Sequence, residues 1–289
     1  MAAWDQGCKG CTTYRPNAVT GSVLSVTPAQ EQAYHAMLTH AVNQGYSVLE
    51  RGGSSLDAVT AAVTVLEDSP LFNAGKGAVY TFDESHELDA SIMDGRDRSA
   101  GAVAGVTNVK NPILLARAVM EKSDHVMLSG KGAEQFAKQQ KLELVDNSYF
   151  NTEFRYEALQ RAKQAIAPQP HQAAVPYDPA WKMGTVGAVA IDRKGNLAAA
   201  TSTGGMTAKR YGRIGDAPII GAGNFADNKS CAVSATGHGE FFIRYQVASD
   251  ICARVKYQRK TAAVAAKEVM AELKKVGGDG GVIVVDSKG

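Results

Sequence analysis

Apolar residues recur every three or four positions in several stretches of this chain, which is the spacing of amphipathic helices. The first stretch runs from Thr27 to Glu50 and ends at a glycine pair. A second begins at Ser54, because a serine followed three residues later by Asp57 is a helix-start signal, and it stops before Pro70. The same pattern predicts further helices over 111–123, 132–141, 153–166, 240–257 and 262–276.

Short apolar runs between turn residues predict the strands. Residues 77–95 indicate two strands around an acidic turn, 98–109 a third and 125–130 a short fourth. Further along, Val186–Ile191 and Leu197–Ser202 flank a turn, a glycine-rich loop follows, and strands are expected near Cys231–Ser234 and over 280–286. Paired helices and grouped strands with short turns favour an α+β fold with helices outside layered sheets.

Composition narrows the possible partners. The chain has 289 residues, of which 45% are hydrophobic and 21% charged, with a net charge of +2. This balance gives no basic surface for nucleic acid and no attraction to an anionic membrane, so we expect neither partner. Four cysteines are too few for a disulfide framework, and no secretory signal is visible, so we expect a cytoplasmic protein.

The first hypothesis about catalysis concerns a threonine that follows a proline-rich segment. Residues 167–184 hold four of the nine prolines, which predicts an exposed, mobile linker. Thr185 follows directly at the head of a strand. A threonine hydroxyl needs a base, and an N-terminal residue has one in its own amine, with a pKa of about 8. Gly184 tolerates the strained backbone that self-cleavage requires. Thr185 is therefore predicted to be a hidden N-terminus, although a threonine at a strand start is more often a simple β-former.

Two later segments offer groups for binding. Arg213 and Asp216 lie three apart among glycines and suit a ligand with both a carboxylate and an amine, or else form a surface ion pair. Thr236, Gly237 and Gly239 form a tight turn that can aim a hydroxyl and an N–H at an oxyanion, or else are plain turn residues.

Other motifs give weaker evidence for a functional site. "CKGC" has no second cysteine pair, and His35 and His40 do not share a helical face, so neither predicts a metal site. "HVMLSGKGAEQF" begins like a dinucleotide-binding motif, but Gln135 stands where its third glycine belongs. His238 either contacts a ligand or is simply tolerated in its loop.

Several segments in order resemble the plant-type L-asparaginase/isoaspartyl aminopeptidase family of N-terminal-nucleophile (Ntn) hydrolases. They are "LEDSPLFNAGKGAV", "HELDASIMDG", "AGAVAGV", "NPILLAR", "GTVGAVA", "LAAATSTGGMT", "GRIGD" and "GEFFIR", and the resemblance runs from Pro28 to the C-terminus. It implies one domain over 1–289 with a four-layer αββα sandwich. Self-cleavage would divide this domain into an α subunit, 1–184, and a β subunit, 185–289, which assemble as a homodimer of αβ units.

The resemblance also implies roles for individual residues. Thr185, released by cleavage after Gly184, would be the nucleophile, Thr203 would hydrogen-bond to it, and Asn73 would help position it. Thr236 and Gly237 would form the oxyanion hole. Arg213 would bind the substrate α-carboxylate and Asp216 its amine, with Gly237 and Gly239 completing the pocket. No catalytic cofactor is implied. A structural sodium ion would be held by the backbone carbonyls of Leu66, Glu67, Ser69, Phe72, Ala74 and Lys76.

The implied activity is hydrolysis of β-aspartyl (isoaspartyl) dipeptides and L-asparagine through a β-aspartyl-threonine ester. Glycosylasparaginase or threonine endopeptidase activity on the same fold is an alternative, as is an unprocessed relative without activity. The "TSTGGMT" segment favours the asparaginase branch. Residues 1–26 do not resemble the usual start of the family, and the chain stops in the turn after the strand 280–286. The fold is therefore expected to lack one N-terminal and one C-terminal strand.

Overall fold

The computed structural model describes residues 27–166 and 184–289. The "CKGC" motif and most of the proline-rich linker lie outside these ranges. Within them, no helix is long and apolar enough to cross a membrane. The helices are α1 Pro28–Glu50, α2 Ser55–Glu67, α3 Pro112–Lys122, α4 Gly130–Gln139, α5 Glu153–Ile166, α6 Gly239–Tyr245, α7 Val247–Gln258 and α8 Ala262–Lys275. The strands are β1 Leu88–Asp94, β2 Ala100–Val106, β3 Met127–Ser129, β4 Val186–Ile191, β5 Leu197–Thr203, β6 Asn224–Ala226, β7 Cys231–Gly237 and β8 Gly280–Asp286.

Five strands form one sheet in the order β3-β2-β1-β5-β4, and only the β2–β3 pair is parallel. Side chains alternate between its two faces, as the strand period requires. Leu88, Ala90 and Ile92 of β1 belong to a core cluster shared with α1, α2 and α3. Accordingly, α2 packs against β4 and β5, and α3 packs against β1 and β2.

The second sheet has the order β6-β7-β8, and α7 and α8 pack against its strands. It meets the first sheet through β7, where a Cβ at Gly187 would collide with the Ser234 hydroxyl. Ser234 Oγ also hydrogen-bonds Thr201 Oγ1 of β5 at 2.6 Å. A disulfide joins Cys231 of β7 to Cys252 of α7, the one bridge within the described residues, where the cysteine content had predicted no disulfide framework.

Most predicted elements are confirmed, including the Ser54 cap of α2, whose hydroxyl accepts the Asp57 N–H. Three predictions need correction. Of the two strands expected over 77–95, only β1 forms; the first half follows a short 3-10 turn at Gly75–Gly77 and makes an isolated bridge from Thr81 to Lys209. The helix predicted over 240–257 breaks at Gln246, whose backbone is left-handed at φ +47°. The glycine-rich loop contains the unpredicted strand β6.

Candidate active site

Thr185 stands immediately before β4, opposite the end of β5. Its neighbour Val186 pairs with Ser202, so Thr185 lies beside Thr203. The Thr185 hydroxyl donates a hydrogen bond of 2.9 Å to Thr203 Oγ1, which also accepts the Gly205 N–H at 3.0 Å. Thr185 is only half-buried. The structure thus brings together the predicted nucleophile and its predicted threonine partner, in reach of solvent.

The peptide bond before Thr185 is held in an unusual conformation. Gly184 has φ +121°, and a Cβ on it would lie 2.5 Å from the backbone nitrogen of Asn73. That same Asn73 N–H donates a 3.0 Å hydrogen bond to the Gly184 carbonyl oxygen. The Asn73 side chain donates to the Gly205 carbonyl oxygen at 2.6 Å and accepts the Val79 N–H at 3.0 Å. Only glycine fits here, and Asn73 fixes both the carbonyl and the loop beside it.

Thr236 reaches the same end of the sheets by strand alternation. On β7, Ala232 packs against the residues Val189 and Ala199 of the first sheet. Two residues on, Ser234 contacts Gly187 and Thr201. Side chains two apart share a face, so the next step brings Thr236 to the level of Thr185 and Thr203. Gly237 follows at φ +154°, where a side chain would collide with Phe242 and the Asp279 carbonyl.

Arg213, Asp216 and Gly239 meet in one place. A Cβ on Gly239 would lie 2.9 Å from Arg213 Nη2 and 3.0 Å from the Asp216 nitrogen. The Arg213 guanidinium donates a fork of two hydrogen bonds, 2.9 and 3.0 Å long, to the carboxylate of Glu240. Its ion-pair partner is therefore Glu240 and not Asp216. Sequence reasoning missed Glu240, although its position directly after Gly239 in "GHGE" was a usable signal.

The Asp216 carboxyl is buried, and its Oδ2 has no hydrogen-bond partner within 27–166 and 184–289. Burial raises its pKa to about 7, while the nearby Arg213 charge acts in the opposite direction. A buried carboxyl with an open oxygen next to a guanidinium suits a ligand that brings its own amine.

His238 lies at the edge of this cluster. Its backbone N–H donates to the Asp279 carbonyl oxygen at 2.9 Å, and its ring packs edge-on against Phe241. Nε2 lies 3.6 Å from Glu240 Oε2. The ring therefore stands next to the carboxylate that holds Arg213, and whether it contacts a ligand stays a prediction.

The loop Leu66–Lys76, from which the resemblance implies sodium ligands, folds back on the end of α2. A Cβ at Gly75 would collide with the carbonyl oxygen of Glu67, and one at Gly77 with that of Phe72. These two carbonyl oxygens thus lie against backbone that only glycine leaves open. The sodium site predicted for this loop stays a prediction.

The side chain of Glu67 has a structural role that is separate from its backbone carbonyl. Its Oε1 accepts hydrogen bonds from the Ser202 hydroxyl at 2.6 Å and the Ile113 N–H at 2.9 Å. The residue is fully buried, and burial raises its pKa from 4.5 to about 8 despite the hydrogen bond from Ser202. Glu67 therefore ties α2 to β5 and to the start of α3 as a neutral carboxyl near pH 7.

Replacing Glu67 with glutamine should flatten the pH dependence of stability. Because the folded-state pKa is raised, the carboxyl contributes fully below pH 4.5, and the contribution is lost as pH rises through about 8. We expect the fall in Tm between about pH 5 and about pH 8.5 to be several degrees smaller in Glu67→Gln than in the wild type. Thermal unfolding across pH measures this, with the exposed Glu143→Gln as the control. An unchanged difference in Tm would contradict it.

Comparisons with known proteins identify the family of this chain. The model of the asparaginase family matches residues 17–289. An isoaspartyl peptidase from Escherichia coli K12 is 52% identical over 261 residues, covering 90% of this chain and 81% of the relative. A putative isoaspartyl peptidase/L-asparaginase from Dictyostelium discoideum is 45% identical, covering 93% and 85%. The human isoaspartyl peptidase/L-asparaginase is 43% identical, with the same coverage. The resemblance noted from the sequence is thus confirmed, and the chain belongs to the plant-type asparaginase family.

Proposed function

We propose that this protein is a self-cleaving hydrolase of isoaspartyl dipeptides and L-asparagine, the substrates that the names of its relatives indicate. One observation carries the proposal. The Thr185 hydroxyl is hydrogen-bonded to Thr203, directly after a peptide carbonyl that accepts the Asn73 N–H. The hydroxyl nucleophile and the polarised carbonyl therefore lie on the two sides of the peptide bond between Gly184 and Thr185.

Self-cleavage begins with attack of Thr185 Oγ1 on the carbonyl carbon of Gly184. The hydroxyl proton is transferred to the Thr185 nitrogen as the C–N bond breaks, and the acyl group moves from nitrogen to oxygen. The Asn73 N–H stabilises the negative charge that develops on the Gly184 oxygen. Water then hydrolyses the ester, which leaves a carboxylate on Gly184 and a free amine on Thr185.

The freed amine serves as the base for substrate hydrolysis. It accepts the Thr185 hydroxyl proton while Oγ1 attacks the side-chain carbonyl of the aspartyl group. Thr236 and the backbone at Gly237 stabilise the oxyanion, and the proton leaves with the departing amine. A β-aspartyl ester remains, and water releases L-aspartate. Throughout, the α-carboxylate pairs with Arg213 and the α-amine with Asp216.

The same family assignment supports a finer description of the fold. Helices α2 and α3 contact the first sheet, β4 and β5 contact β7, and α7 and α8 contact the second sheet. We infer the four-layer αββα sandwich from this succession. One domain over 1–289, divided into 1–184 and 185–289, and a homodimer of the resulting αβ units are part of the proposal.

A sodium ion in the loop Leu66–Lys76 would brace the segment that carries Asn73, and it would take no part in the reaction. Because a ligand that binds only the folded state raises stability, we expect the Tm to rise with sodium chloride concentration. Choline chloride at equal ionic strength provides the control for screening. Equal Tm values in the two salts would contradict the sodium site.

Intact mass spectrometry of the purified chain after incubation at neutral pH tests the function. We expect the 30.5 kDa chain to give two pieces, residues 1–184 and 185–289, followed by release of L-aspartate from isoaspartyl dipeptides. Persistence of the single uncleaved species, with no aspartate released, would overturn the proposal.

A further inference from the structure

A buried polar layer lies directly below the proposed catalytic residues, where the two sheets meet. Thr201 stands two residues before Thr203 on β5, and Ser234 stands two residues before Thr236 on β7. Residues two apart on a strand share a face, so both hydroxyls lie on the faces that carry the catalytic groups. Thr201 and Ser234 are buried, and neither has a part in the reaction described so far.

The two hydroxyls join the sheets directly. Thr201 Oγ1 and Ser234 Oγ are 2.6 Å apart, and Thr201 Oγ1 also donates to the Gly223 carbonyl oxygen at 3.1 Å. Because a hydroxyl has one proton, Ser234 is the donor to Thr201 in this arrangement. A Cβ at Gly187, the cross-strand partner of Thr201, would lie 2.0 Å from Ser234 Oγ. A directed hydrogen bond therefore spans the sheets at the point where their backbones approach closely.

Asn224 of β6 adds two further hydrogen bonds between the sheets. Its amide nitrogen donates to Thr201 Oγ1 at 3.2 Å and to the Ser91 carbonyl oxygen of β1 at 3.3 Å. The Ser91 hydroxyl in turn donates to the carbonyl oxygen of Ala217 at 2.6 Å. Ala217 directly follows Asp216, so the same network reaches the loop that carries the proposed amine-binding carboxyl.

The Gly223 carbonyl oxygen connects the network to the proposed oxyanion group. It accepts the Ala235 N–H at 2.9 Å in addition to the Thr201 hydroxyl. Ala235 directly precedes Thr236 on β7. One carbonyl oxygen therefore ties β5 to the residue next to the oxyanion threonine.

The polar layer differs from the rest of the contact between the sheets. Val189, Ala199 and Ala232 meet there through apolar side chains, which give no preferred direction. Asn224 is fully buried, and its Oδ1 has no hydrogen-bond partner within 27–166 and 184–289, which costs free energy. Hydrogen bonds depend on both distance and angle, so this layer defines the separation of the sheets more sharply than apolar packing does.

We propose that Thr201, Ser234 and Asn224 are positioning residues, which set the distance between the proposed nucleophile at the start of β4 and the oxyanion threonine on β7. A displacement of about 1 Å between reacting groups can reduce the rate about 100-fold, so a few buried hydrogen bonds suffice for this role. The inference rests on the proposed function.

The two reactions of the proposed function depend on this distance to different degrees. Substrate hydrolysis needs both sheets, because Thr185 attacks while Thr236 stabilises the oxyanion. Self-cleavage uses the Asn73 N–H, which already bonds the Gly184 carbonyl oxygen. Loss of the network should therefore slow hydrolysis far more than self-cleavage.

The test measures kcat and KM for L-asparagine on the self-cleaved fraction and follows the rate of self-cleavage by intact mass. In Thr201→Val and in Ser234→Ala we expect kcat to fall at least ~10-fold, with KM and the self-cleavage rate within about 3-fold of the wild type. Thr201→Ser keeps the hydroxyl and should restore kcat to within about 3-fold of the wild type. The double variant Thr201→Val/Ser234→Ala should lose at most about 3-fold more than the weaker single variant, because both substitutions remove the same contact.

Thr60→Val is the matched control. It also removes a buried threonine hydroxyl, which donates to the Leu56 carbonyl oxygen within α2, and it should keep the wild-type kcat even if its Tm falls.

Wild-type kcat in both Thr201→Val and Ser234→Ala would overturn the proposal. Equal losses of kcat and of self-cleavage would also overturn it, because they would indicate a general disturbance of the fold. If Thr201→Val does not fold, Ser234→Ala decides by the same two measurements. Absence of cleavage before Thr185 in the wild type would instead be a failure of the proposed function.

Discussion

The substitution Thr185→Ala is expected to leave the chain intact and without measurable hydrolysis. The variant lacks the oxygen that attacks Gly184, so neither the cleavage nor the later ester can form. We expect loss of at least ~10⁴ in activity, the scale seen when a nucleophile is removed. Intact mass after prolonged incubation and an aspartate-release assay measure the two steps separately.

Two variants sharpen this test. Thr185→Ser keeps a hydroxyl that can donate to Thr203, so it should still cleave, more slowly. Thr64→Ala removes a threonine whose hydroxyl donates to the Thr60 carbonyl oxygen of its own helix, and it should behave as the wild type. Cleavage between residues 184 and 185 in Thr185→Ala would contradict the assignment of the nucleophile.

The strands around the site were predictable because their signals are local. The short runs of small and apolar residues over 186–191 and 197–202, with the turn between them, predict both strands and their pairing. The break at Gln246 was not predictable, because an apolar helical pattern continues on both sides of it. Strand β6 was missed for a related reason, since three residues at the end of a glycine-rich loop carry no period.

Within the site, the sequence indicated the residues whose roles follow from their chemical type and their place in a recognisable motif. Thr185, Thr203 and Asn73 belong to this group, and the structure hydrogen-bonds Thr185 to Thr203 and Asn73 to the carbonyl before Thr185. The contacts of Glu240 and Ser234 depend on long-range packing. The Arg213–Glu240 pair spans 27 positions, and Ser234 reaches Thr201 across 33. No spacing rule predicts such pairs, so they became visible only in three dimensions.

The substitution Arg213→Leu is expected to lower kcat/KM for L-asparagine by about 10²–10³, because removing one partner of a desolvated charge pair costs several kcal/mol. The Arg213 guanidinium already donates two hydrogen bonds to the Glu240 carboxylate. This contact orients the group, and a substrate carboxylate must use its remaining N–H donors or displace Glu240. Michaelis–Menten kinetics on the self-cleaved protein measure the loss.

A second substrate isolates the carboxylate contact in this experiment. L-asparagine α-amide has no α-carboxylate, so the wild type should gain little from Arg213 with it, and Arg213→Leu should lose far less activity. Arg161→Leu, which removes a surface arginine paired with Glu157 on its own helix, should match the wild type with both substrates. Equal losses with the acid and the amide would mean that Arg213 supports the fold of the loop and does not bind the substrate carboxylate.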